Sequence, residues 1–65
     1  MDKKENILKE IEDMFFEDEV LNELLKDKMD DIWISIKKIL IKSSSPQEML
    51  EKYHFLRKKL IKNFS

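Results

Sequence analysis

The stretch SSSPQEMLEKY, residues 43–53, decides the fold, because it carries the start of a helix in full. Ser45 stands where an N-cap side chain accepts a hydrogen bond from the first turn. Pro46 follows at the first helical position, where a missing N–H costs nothing. Glu48, three residues after the serine, completes a capping box. Apolar residues then return at helical spacing as Met49, Leu50, Tyr53, Leu56, Leu60, Ile61 and Phe64. The pattern predicts a helix over 46–63.

Before this start the same periodicity runs through Leu21, Leu25, Met29, Ile32, Trp33, Ile36 and Leu40. It predicts one long helix over 18–42. The segment Ile32-Trp33-Ile34-Ser35-Ile36 has the β-branched character of a strand, but no second strand exists to pair with it. Trp33 belongs to the core stripe and is not assigned to an interface. The short link through Ser43 and Ser44 predicts antiparallel pairing of this helix with the one that follows.

Nearer the N-terminus, Ile7, Leu8, Ile11, Met14 and Phe15 mark another helix over 3–16, with Asp2 and Glu5 spaced as a capping box. Continuing that face would bury Asp18 and Asn22, so the helix is expected to end near Phe16 and the next to begin near Asp18. The fold class expected is all-α: a small antiparallel three-helix bundle, or a helical hairpin plus an N-terminal helix, in a single domain over 1–65.

Composition sets the limits. A chain of 65 residues buries only about 60% of its unfolded surface, which makes a lone core marginal. It contains no cysteine, so disulfides and thiolate metal sites are excluded and self-association becomes the expected remedy. Charged and hydrophobic residues each make up 42% of the chain, enough apolar material to fold despite the charge. No apolar run reaches the roughly 18 residues of a membrane span, and the first residues do not form a signal peptide. A cytoplasmic location is the expectation.

Charge is divided along the chain. Residues 1–31 carry 12 acids and 5 bases, a balance of −7; residues 32–65 carry 2 acids and 8 bases, a balance of +6. Acids opening the early helices and lysines closing the later ones suit the helix dipole, which accounts for much of this division.

Three residues sit on the wrong face. At about 100° per residue, Ile34 and Ile41 point away from the stripe of their helix. Phe55 lies among Glu48, Glu51, Lys58, Lys59 and Lys62, opposite Met49 and Tyr53. Isolated exposed apolar residues are common. Three large ones in so small a chain predict an interface, either with a second copy in a homodimer or with another protein.

Catalytic signals are absent. There is no glycine-rich turn and only one histidine, and Ser43, Ser44 and Ser45 read as loop and cap. Glu51 and His54 have the spacing of half a di-iron motif, but the second half and the inward-facing glutamates are missing. The expectation is a non-enzymatic protein–protein interaction module without cofactor or metal. The alternative is a nucleic-acid-binding helix with contacts at Lys58, Lys59 and Lys62. Against it stand an isoelectric point near 5.8 and a single arginine, the residue that best reads guanine.

Overall fold

The helix that begins at Ser45 forms as α4, Pro46–Phe64, in the computed structural model, which describes residues 3–65. Ser45 Oγ accepts a hydrogen bond from the Glu48 amide at 3.1 Å. Glu48 reaches one residue further back than the capping box requires, and its Oε2 accepts from the Ser44 amide at 2.8 Å. That hydrogen bond holds the Glu48 carboxyl below its ordinary range. With 19 residues, α4 is about 28 Å long and spans most of the 35 Å long axis of the molecule. Every other helix packs against it.

Those helices are α1 over Lys3–Phe16, α2 over Glu19–Leu25 and α3 over Met29–Leu40. Together with α4 they form a small all-α bundle, with no strand among the described residues. α3 and α4 run antiparallel. Ile41 and Met49 line one hollow at the connected end, and Lys28 Nζ lies 5.8 Å from the Phe64 ring centroid at the other.

The core takes Ile11 and Phe15 from α1, Leu21 and Leu25 from α2, Met29, Trp33, Ile36 and Leu40 from α3, and Met49 and Tyr53 from α4. Each belongs to an expected apolar stripe. Phe15 and Trp33 stack tilted at 5.4 Å, and Phe16 meets Phe15 edge-on at 5.1 Å. Met14 and Phe64, also assigned to stripes, are largely exposed instead. Each stripe is wider than the neighbouring helices can cover, and these residues fall at its margins. Asp2, the expected cap of the first helix, lies outside the described residues.

One boundary differs from expectation. The single helix expected over 18–42 is divided by a 3-10 turn at Lys26–Lys28. The spacing of the stripe gives the reason. Leu21, Leu25, Met29 and Trp33 are four residues apart, and each step of four overshoots a full turn by about 40°. In one continuous helix Leu21 and Trp33 would face about 120° apart. The break resets the phase, so that all four are buried.

The reset strains Lys26, whose φ of 52° and ψ of −119° match the glycine-favouring first central position of a type II′ turn. Such backbone strain in a non-glycine residue costs roughly 1–3 kcal/mol. Glycine relieves it while adding about 0.5–1 kcal/mol of unfolded-state entropy. Lys26→Gly is therefore expected to stabilise the fold by about 1 kcal/mol, read as a rise of about 4–8 °C in the melting temperature. A lower melting temperature would contradict the strained geometry.

Candidate interaction surfaces

The junction between α1 and α2 positions the most organised polar group. Asp18 is the N-cap of α2, and its Oδ1 accepts from the Leu21 amide at 3.1 Å. Asn22 fastens the same corner by donating from Nδ2 to the carbonyls of Phe16 and Asp18. From α4, Arg57 donates Nε to Asp18 Oδ2 at 2.6 Å and Nη2 to Oδ1 at 3.4 Å. The Asp18 side chain is only 12% exposed, and the Arg57 hydrogen bond holds its carboxyl below the ordinary value of 3.8. Asp18 in turn raises the Arg57 guanidinium. The sequence reading ended a helix near these residues but did not pair them.

Tyr53 lies beneath the pair. Burial raises its phenol above the ordinary range, with the Asp18 charge adding to the effect. Its hydroxyl and that of Ser43 are buried without a hydrogen-bond partner. Met14, Asp18, Tyr53, His54 and Arg57 line a hollow of about 220 Å³. Its carboxylate is fixed as an anion on Arg57 and its phenol is held protonated, so neither is poised to exchange a proton near neutral pH. What this group does is tie α2 to α4.

The three apolar residues singled out by the sequence are all surface residues, with Ile34 54%, Ile41 51% and Phe55 58% exposed. They do not share one groove. Ile41 flanks α1 beside Glu5 and Leu8. Phe55 lines a shallow groove on α4 with Lys58, Lys59, Lys62 and Asn63. Lys59 Nζ sits 4.9 Å from the Phe55 ring centroid, within cation–π range. A residue assigned to a protein interface and the three lysines assigned to nucleic acid therefore form one patch. The only arginine does not join it, because its side chain turns to Asp18.

A further apolar surface was not anticipated. On the side of the α3–α4 hairpin remote from the Asp18 corner, Ile32, Ile36 and Ile39 of α3 face Leu56, Leu60 and Phe64 of α4 across a groove of about 330 Å³. Ile39 is 44% and Phe64 41% exposed. The available signal was the position of Ile39, three residues beyond Ile36 on the flank of the stripe.

Among the described residues no helix is long and apolar enough to cross a membrane. Nor does any group of three or more His, Cys, Asp or Glu side chains come together there to hold a metal ion. Comparison of the chain with protein-family models, with curated proteins and with solved structures found no match to any of the three.

Proposed function

We propose that the protein is a non-enzymatic protein–protein interaction module, a small regulator, inhibitor or assembly factor that acts through exposed apolar helix faces. The observation that carries this reading is the exposure of Ile34, Ile39, Ile41, Phe55 and Phe64 on so small a chain. Apolar residues displayed in grooves and seams mark surfaces that bury themselves against other proteins. A second copy is one such partner, through the outward seam of Ile34 and Ile41. Another protein is the second. The reading carries no cofactor and no catalytic residue, and its setting is the cytoplasm.

Two measurements test it. Tagged protein captured from its native lysate is expected to retain a stoichiometric protein partner after nuclease treatment. Capture that disappears with nuclease would overturn the proposal and favour nucleic-acid binding at Lys58, Lys59 and Lys62. The Phe55 ring among these lysines gives that second reading its support, as a base-stacking platform within a basic patch. Self-association is tested by sedimentation equilibrium. The mass is expected to exceed the 7.9 kDa of one chain and to fall to that value on Ile34→Ser with Ile41→Ser, helicity being retained. A mass that the two substitutions leave unchanged removes this seam as the contact.

A further inference from the structure

We infer that the groove between α3 and α4 is the docking site for an acidic amphipathic helix of a partner protein. The inference rests on the interaction-module reading and adds where the partner binds and what it is made of.

Shape is the first argument. Two antiparallel helices leave a trough on each side of their contact. On one side α1 and α2 fill it, burying Ile11, Phe15, Leu21 and Leu25 against the hairpin. On the other, Ile32, Ile39, Leu56, Leu60 and Phe64 remain accessible to solvent. A third helix laid there completes the packing that α1 provides opposite, with its apolar residues at i, i+3, i+4 and i+7 entering the trough. α3 has 12 residues and is therefore about 18 Å long, room for about three turns of a partner.

Charge selects the occupant. Lys59 lines the groove itself. Helical projection at about 100° per residue places Lys38 along the outer flank of α3 and Lys52 and Lys62 along that of α4, and Lys42 lies in the turn just beyond α3. The acids on these flanks are Asp31, Glu48 and Glu51, and Glu48 already accepts from Ser44 and faces Lys52 at 3.6 Å. Five lysines against three acids leave the rim of the apolar floor net positive, which favours a helix with acidic residues flanking its apolar stripe.

The same charges argue against a second copy in this groove. Symmetric pairing would bring the lysine flanks of two molecules together. The acidic half of a second copy exposes only Met14 and Val20 of its large apolar residues, too few for a matching stripe, because Ile11, Phe15, Leu21 and Leu25 are buried in its own core.

The test uses the full chain and a fluorescein-labelled synthetic helix of about 18 residues, with leucine on one face and glutamate and glutamine on the other. Its counterpart carries lysine for glutamate. The acidic peptide is expected to bind with a dissociation constant of about 10–100 μM and to weaken as salt rises. Affinity is expected to fall about tenfold on Ile39→Ser with Phe64→Ser, and by a similar factor on Lys59→Glu. All three positions are exposed, and unchanged circular dichroism confirms that the variants fold.

Equal binding of the lysine peptide would overturn the inference. So would no binding of the acidic peptide below about 1 mM, or affinity indifferent to both variants. A dimer mass abolished by Ile39→Ser with Phe64→Ser would make a second copy the occupant and overturn it as well. If the peptide fails while nuclease-resistant capture persists, the groove assignment falls and the interaction-module reading stands.

Discussion

Phe15→Ala is expected to remove about 3–5 kcal/mol of folding stability. Phe15 is fully buried and forms the centre of the aromatic cluster, with Phe16 at 5.1 Å and Trp33 at 5.4 Å. Truncating such a residue costs about 3–5 kcal/mol, through lost transfer energy and the cavity left behind. At the usual stability per residue, a chain of 65 residues has roughly 3–10 kcal/mol in total. The loss is therefore about a third of the stability at the upper end of this range and all of it at the lower end. Far-UV circular dichroism during urea titration checks it, with Phe55→Ala as the comparison. Phe55 is exposed, and its truncation is expected to change stability by less than about 0.5 kcal/mol. A Phe15→Ala protein that melts like the parent would place the core elsewhere.

The second large effect belongs to Asp18. Alanine there removes the N-cap of α2, worth about 0.5–2 kcal/mol, and leaves Arg57 without its carboxylate. Arg57 is about one-third exposed, so water recovers part of that interaction and the pair itself is worth about 1 kcal/mol. The combined loss is about 1.5–3 kcal/mol. Asp18→Asn keeps an acceptor for the Leu21 amide and is expected to lose about half as much. A double-mutant cycle with Arg57→Met separates the pair from the cap. A coupling near zero would show that the 2.6 Å contact adds nothing.

The same pair sets part of the acid response. The folded-state pKa of Asp18 lies below the ordinary 3.8, so folding favours its ionised form. Its contribution is complete above the unfolded-state value and is lost as pH falls from there through the depressed folded-state value. Stability is expected to decline below about pH 4. Asp18→Asn should flatten that part of the profile, and an unchanged profile would assign the acid sensitivity to other carboxylates.

Much of the fold is legible in the sequence because the core residues recur at helical spacing within each helix. Ser45, Pro46 and Glu48 set the start of α4, and Asp18 and Asn22, out of place on the apolar face of α1, mark its end, where Asp18 caps α2 and Asn22 donates to the carbonyls of Phe16 and Asp18. The turn at Lys26 was not legible, since no glycine or proline stands there. Its cause is a phase drift that becomes visible only when every residue of the stripe must reach the same core. The surface was readable residue by residue but not as a surface. Spacing within one helix marks Ile34, Ile41 and Phe55 as outward-facing, yet says nothing of which outward residues on different helices meet. Ile39 and Phe64 come together only through the antiparallel pairing of α3 and α4, and Arg57 finds Asp18 across 39 residues of chain.

The separation of charge between an acidic first half and a basic second half also acts when the bundle is open. Segments with balances of −7 and +6 attract one another along an unfolded chain as well as across a folded interface. The denatured ensemble is thereby drawn inward before any helix docks. Salt then loosens both ends of the folding equilibrium, which mutes its effect on stability and leaves its clearest mark on the dimensions of the unfolded chain.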